Sequence, residues 1–314
     1  PAPVQQQMTV LIATSVVRGS RQGESHGGVY LVDLARERVR QVLDWNRSDI
    51  DWSGRGWDRG LRGIAFDGDT VYIAASDELF AFDASFRPLG AWRSPCLRHC
   101  HEIHVHRRRL YLSSTGFDAV LGFDLDEQRF SWGMRFDFDG IGYRGIPFDP
   151  MASQAPAPRN ELHLNNVFCD ETGMYLGGLH VCGLLRYDGR EVRKVAALPA
   201  GVHNARPLAP GLIYNDTAAD RLCVLRGDQR LFFAMPALDA ALLRADVADD
   251  SRVARPGFAR GLCLIDERTV ASGSSPSTIT LHDLESRRST LSVVLSRDVR
   301  NAIHGLEVWP FAAP

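Results

Sequence analysis

No run of about 18 apolar residues occurs in the chain, so no membrane-spanning helix is expected. An excess of one charge is lacking too: Lys+Arg 36 against Asp+Glu 38 leaves a formal net charge of -2. That balance excludes a generally basic nucleic-acid binder and a polyacidic disordered chain. Residues 1–10 show no basic segment followed by an apolar core, so no export signal is expected there. A phosphate-binding loop is missing, because Ser272-Gly273-Ser274-Ser275 has neither the Lys nor the following helix that such a loop needs. No G-x-S-x-G nucleophile elbow occurs. Helical periodicity is scarce. One segment, Met235 to Val247, spaces Leu238, Ala241, Leu242 and Ala245 as a helix face would, and a helix is expected there.

Cysteine is sparse at 6 in 314 residues. A chain of this length buries a core without disulfide staples, and with no export signal reduced thiols and a cytoplasmic location are expected. Cys96 and Cys100 have C-x-x-x-C spacing beside His99 and His101. A zinc clip needs a second ligand pair and none stands out, so these read as buried thiols.

What the chain does have is a repeat of about 40 residues, the period of propeller blades with four short strands each. The units run over residues 60–92, 99–136, 161–198, 201–235 and 258–295. Alternation such as Thr70-Val71-Tyr72-Ile73-Ala74 fits half-buried strands. Turn residues such as Asp67-Gly68-Asp69 and Asp188-Gly189-Arg190 separate the strands. Arg226-Gly227-Asp228 resembles an adhesion tripeptide but reads as another hairpin turn. The ends supply a sixth unit. Residues 302–310 look like a first strand lacking its second, and residues 9–45 like strands two to four lacking their first. The expected fold is an all-β, six-bladed β-propeller in a single domain spanning 1–314, its last blade closed by the N- and C-terminal strands, which removes exposed sheet edges.

Aligning the units on their first strands yields one column: Arg62, His101, His163 (or Asn165 two further on), His203, Arg260 and His304. The separations are 39, 62, 40, 57 and 44, the two long ones holding insertions. First strands of a propeller line its central channel, so matching positions converge there. Four of the 10 histidines fall in this column. Imidazoles and guanidiniums facing one another disfavour ionisation, and a bound cation or anion resolves the conflict. His101, His163, His203 and His304 are therefore candidate metal ligands, suited to Fe, Zn, Cu or other transition ions rather than Ca or Mg. The competing reading is that these rings cap strands by hydrogen bonds to backbone. Arg62, Arg260, Asn165 and Asn204 are candidate substrate-binding residues, with Asn166 a further orienting group. Glu102 and Glu161 flank ligand histidines, and Glu102 is the candidate catalytic carboxylate. Period two turns His104 to the opposite strand face from His101, where packing or blade-to-blade hydrogen bonding is expected. His180, near a turn between second and third strands, is a further group that could approach the site.

Three long connections, Asn46–Arg59, Asp137–Asn160 and Ala237–Pro256, join a fourth strand to the next first strand and read as loops over the column's face. Asp51-Trp52, Gly56-Trp57 and Phe138 to Tyr143 would supply aromatics for gripping a ligand, and Ser153 to Pro158 reads as a tether.

On this repeat pattern, and on the HLNNV stretch with Asn165 and Asn166, the chain resembles the six-bladed propellers of the SMP-30/gluconolactonase and strictosidine-synthase type. That resemblance implies a metal or a catalytic residue at the channel mouth, supplied by first strands. The family uses carboxylate and Asn ligands, whereas this column is rich in His. In that respect the four histidines look like the four-His iron site of the carotenoid cleavage oxygenases, a likeness of design.

Three functions are compatible with these residues. The first is a non-haem iron oxidoreductase or oxygenase, with Fe(II) favoured over Zn, Mn, Co or Cu, acting with O₂ on a small anionic or carbonyl-bearing molecule. The second is a metal-dependent hydrolase or lactonase at the same centre. The third is a non-enzymatic propeller scaffold for protein binding. Neither nucleic acid nor membrane is an expected partner.

Overall fold

The computed structural model describes residues 9–46, 60–153, 156–244 and 255–312. Apolar alternation and Gly- or Asp-centred turns drive the chain into short antiparallel strands. These are β1 (Val10–Val17), β2 (Gly27–Asp33), β3 (Arg38–Asp44), β4 (Ile64–Asp67), β5 (Thr70–Ala74), β6 (Leu79–Phe82) and β7 (Pro88–Trp92). Next come β8 (Ile103–His106), β9 (Arg109–Ser114), β10 (Ala119–Asp124), β11 (Arg129–Phe138), β12 (Tyr143–Phe148), β13 (Leu164–Asp170), β14 (Gly173–Gly178), β15 (Gly183–Tyr187) and β16 (Val192–Ala197). The remainder are β17 (Val202–Leu208), β18 (Gly211–Asp216), β19 (Arg221–Arg226), β20 (Gln229–Ala234), β21 (Leu262–Leu264), β22 (Thr269–Ser274), β23 (Thr278–Asp283), β24 (Arg288–Val294) and β25 (Asn301–Val308).

Among the described residues the sheets run β25-β1-β2-β3, β4-β5-β6-β7, β17-β18-β19-β20 and β21-β22-β23-β24, with a nine-stranded sheet β13-β14-β15-β16-β12-β11-β10-β9-β8. The terminal strands pair as expected: β25 lies antiparallel to β1, from Leu11 opposite Val308 to Val17 opposite Asn301. Burial follows strand rank. β1 and β2 are buried throughout, whereas the fourth-rank strands β3, β7, β16 and β24 are largely exposed. Arg226-Gly227-Asp228 sits between β19 and β20, and Gly227 takes the left-handed φ of 56° that this turn requires.

The chain packs as two compact units. One takes its described residues from Pro1–Arg62, Ala219–Val224 and Gln229–Pro314, the other from Gly63–Ala218 and Leu225–Asp228. In the first unit Leu11, Ala13, Val32, Cys263, Ala271, Ile279, Leu281, Ile303 and Leu306 form one apolar cluster. Two such clusters stand out among the described residues of the second unit. One gathers Ala65, Tyr72, Leu79, Ile103, Leu110, Leu121 and Phe123, and the other Val120, Phe136, Leu164, Val167, Leu176 and Leu185. Cys96 and Cys100 are buried in the former, as the sequence suggests.

Two expectations are corrected. The helix expected over Met235–Val247 is replaced, among the described residues up to Arg244, by a single 3₁₀ turn at Ala240–Leu242. Asp239 caps that turn by accepting the Ala241 N–H, Leu242 is left exposed, and Arg244 returns to extended pairing beside Asp298. An apolar face with nothing to cover it does not sustain a helix. The Asp137–Asn160 connection is no plain loop. Asp139 accepts the N–H groups of Ile141 and Gly142, closing a hairpin that pairs β11 with β12. Tyr143 then pairs with Val192, which joins two four-stranded meanders into the nine-stranded sheet. Among the described residues no helix is long and apolar enough to cross a membrane.

Candidate functional site

In the second unit the segment leading into each first strand is fixed by the second strand beside it. Ser113, fully buried on β9, accepts the N–H groups of both His101 (3.1 Å) and Glu102 (3.0 Å), and its own N–H donates to the Glu102 carbonyl (3.0 Å). Gly63 allows this segment to approach, since a Cβ there would fall 2.7 Å from Ile103 N. His203 is placed by the matching part of β17 and β18. Its Nδ1 lies 2.8 Å from Thr217 Oγ1, so Nε2 is the nitrogen that would take a ligand. Rings of His163 and His203 each have their centroid 6.0 Å from that of His101.

Register settles which residue of HLNNV matches His101. Ile103 faces Leu112 and Val167 faces Leu176, in each case the fourth residue of the second strand. Counting back two residues gives His101 and Asn165. Backbone conformation agrees: the residue two before His101, His203 and Arg260 is left-handed in each case, at His99 (φ 55°), Gly201 (82°) and Phe258 (46°). His163 (52°) holds that place before Asn165. So Asn165 is the column member, and His163 stands one alternate residue ahead of it with its ring turned toward His101.

The residue that holds His163 there was not singled out from the sequence. Asp118, fully buried and itself left-handed (φ 46°), accepts the N–H groups of Glu161 (2.6 Å), Leu162 (2.9 Å) and Leu164 (3.4 Å). Burial pushes its carboxyl above the usual carboxylate range, and these amide bonds oppose that shift. Thr115 Oγ1 adds a bond to the Leu164 carbonyl. A left-handed non-glycine residue is disfavoured by about 1–2 kcal/mol, and this carboxylate clamp offsets the cost. The cue in the sequence was an Asp in the β9–β10 turn, with nothing to mark its partners 43–46 residues away.

The expected substrate-binding asparagines are engaged within the sheets. Asn165 Nδ2 donates to the Val202 carbonyl (2.9 Å) and Asn166 Nδ2 to the Ala205 carbonyl (2.9 Å), lacing β13 to β17. A Cβ at Gly177 would fall 2.2 Å from Asn166 Oδ1, so that lace needs a glycine beside it. Asn204, left-handed at φ 56°, donates to Glu102 Oε1 and accepts from Asn215 Nδ2 (2.9 Å). It positions the half-buried Glu102 carboxylate. His104 turns away from this cluster, as period two predicts. Its Nδ1 accepts the Cys169 N–H (3.3 Å), and burial pushes its pKa down to about 4. His180 is exposed, with its ring centroid 5.9 Å from that of His163.

The first unit holds the other column residues. Arg62 is wholly buried and its carbonyl accepts Thr14 Oγ1. Arg260 lies over the Phe258 ring (4.5 Å to the centroid), which Arg18 and Arg255 also approach (5.1 and 5.4 Å). Its Nη1 is 3.2 Å from His304 Nε2. A guanidinium only donates, so His304 Nε2 accepts in this bond. Asp220 accepts the Phe258 N–H (2.7 Å) and pairs with Arg255. Trp52 and Trp57 lie outside the described residues, as do Gln154 and Ala155 of the expected tether. Phe138 and Tyr143 pack on each other at 4.8 Å.

Two imidazoles sharing a tetrahedral ion at about 2.0–2.1 Å from each nitrogen have centroids about 5 Å apart. The two pairs on His101 are thus about 1 Å wider than ligation requires, and among the described residues no three His, Cys, Asp or Glu side chains already stand in ligating geometry.

No family model matches the chain, and no curated protein matches it. Similar solved structures exist. A structure of a nidogen/laminin complex aligns with a TM-score of 0.57 at 12% identity, covering 96% of this chain and 97% of that one. A protein of unknown function from Bacteroides caccae aligns with a TM-score of 0.59 at 8% identity, covering 97% and 100%. The likeness extends to the fold alone, which is of the β-propeller type.

Proposed function

We propose that His101, His163 and His203 take up one divalent transition ion and that the protein is a metal-dependent enzyme acting on a small molecule. The observation that carries this reading is the 6.0 Å spacing of two imidazoles about the His101 ring, with a carboxylate one residue along the chain held by Asn204. Three imidazoles with open positions suit a catalytic ion better than a structural one, which is usually closed by four protein ligands. When bound, such an ion lowers the pKa of a coordinated water or polarises a substrate oxygen. Glu102 is the general base: Asn204 orients it, Asn215 orients Asn204, and its partly exposed carboxylate takes the proton. This held base favours the hydrolytic reading, that of a hydrolase or lactonase. A redox role, with Fe(II) and O₂, is the second reading, favoured by the all-imidazole ligand set. The repeat further supports six blades, each of four strands.

The experiment is elemental analysis of the full chain purified without chelators, beside His101→Ala. One bound ion per chain, lost in the variant, is expected. Turnover without O₂ on zinc or manganese selects hydrolysis, and O₂ consumption with iron selects oxygenation. Equal metal content in both proteins overturns the site.

A further inference from the structure

We propose that His180 and His163 form an outer, solvent-facing pair of imidazoles that captures the divalent ion and passes it inward to His101 and His203. This rests on the metal reading above and adds a second, earlier binding step. The ring spacing supports it: His180 to His163 is 5.9 Å, His163 to His101 is 6.0 Å and His101 to His203 is 6.0 Å. So does the burial gradient along that series. His180 is exposed, His163 is half-buried, His101 is 9% exposed and His203 is 4% exposed. An ion arriving from water therefore meets imidazole nitrogen at the surface first and exchanges its waters ligand by ligand.

The tautomer of His180 suits ligation. Its Nδ1 lies 3.0 Å from the Glu161 carbonyl oxygen. A carbonyl only accepts, so Nδ1 carries the proton and Nε2 presents the lone pair, as in metal-binding imidazoles braced by an outer carbonyl. The pair also rides on one backbone frame. The Leu179 N–H donates to the His163 carbonyl and the His180 N–H to the Leu162 carbonyl, both at 3.2 Å, and Asp118 clamps the same segment from within. His163 belongs to both stations, so one ligand stays attached while His180 is exchanged for His101. Two imidazoles hold Zn(II), Ni(II) or Co(II) more weakly than three, which sets the direction of transfer.

The test is stopped-flow uptake of Zn(II) by the full chain, read with a chromophoric chelator, for the unsubstituted protein, His180→Ala and His180→Asn. His180→Asn keeps a donor to the Glu161 carbonyl but lacks the second nitrogen. A residue on the path alters the barrier and not the end states. Uptake and release should therefore both slow by about tenfold in each variant, with one ion per chain and unchanged equilibrium affinity. Unchanged rates in either variant overturn the inference while leaving the inner site standing. Loss of the bound ion in the variants also overturns it, because His180 would then be a ligand of the final site. If the unsubstituted chain takes up no Zn(II), the inner site and this path fall together.

Discussion

The segment around His163 and the segment around Phe258 are the same device carrying different side chains. In each, an Asp from the preceding repeat accepts backbone N–H just ahead of a first strand, from several residues at Asp118 and from Phe258 at Asp220, and a non-glycine residue is held left-handed. Asp118 does this for His163 in the second unit, and Asp220 for Phe258 in the first. The difference lies in what is presented. One repeat turns an imidazole toward other imidazoles, and the other provides an aromatic face for Arg18, Arg255 and Arg260. The repeat fixes the backbone clamp, and the side chain two residues before the column is where one repeat differs chemically from the next.

The largest effect should come from removing the clamps. Asp118→Ala leaves the N–H groups of Glu161, Leu162 and Leu164, the last two in buried bonds, without their acceptor and should cost about 3–5 kcal/mol in urea unfolding. Asp220 is partly exposed, so water replaces it, and Asp220→Ala should cost about 1 kcal/mol. Equal losses would break the comparison.

Acid stability reports on two histidines that burial holds neutral. Burial pushes His282 and His104 down from 6.5 to about 4, and His282 is bracketed by Ser272 (2.7 Å) and Ser289 (3.0 Å). Unfolded, both rings protonate near pH 6.5; folded, they stay neutral until about pH 4. The unfolded chain binds more protons in that window, so stability is full above it and is lost as pH falls through it. Urea midpoints taken stepwise across the window should show this slope, and His282→Gln should reduce it by about one proton. A slope unchanged in that variant would contradict the assignment.

The smallest effect concerns the left-handed residues themselves. His163→Gly relieves a conformation costing about 1–2 kcal/mol, so the loss of its half-buried ring should change stability by less than about 1 kcal/mol. Phe258→Gly gains the same relief but loses three guanidinium contacts, and should be the more damaging of the two by thermal unfolding.

Much of the architecture could be read from the residues because it is written in short-range terms. Strand alternation, turn glycines and the half-units at the two ends anticipate β25 beside β1, and period two anticipates His104 bonding to β13. The site was only partly legible. A left-handed position is marked when it is Gly201 but not when it is His163, so sequence alone left Asn165 and His163 as alternatives. Asp118 was invisible because its partners are main-chain N–H groups far along the chain. The strand β12 hid behind Gly145, Pro147 and a pattern with no buried residue. The bond between Arg260 and His304 depends on tertiary contact and not on spacing, so the sequence carries no mark of it.

X-ray absorption at the metal edge of the Co(II)-loaded full chain, compared with His203→Ala, reports the ligand shell itself. Outer-shell scattering from three imidazoles, reduced to two by that substitution, is the predicted result. A shell of oxygen ligands alone, the same in both proteins, would contradict the account.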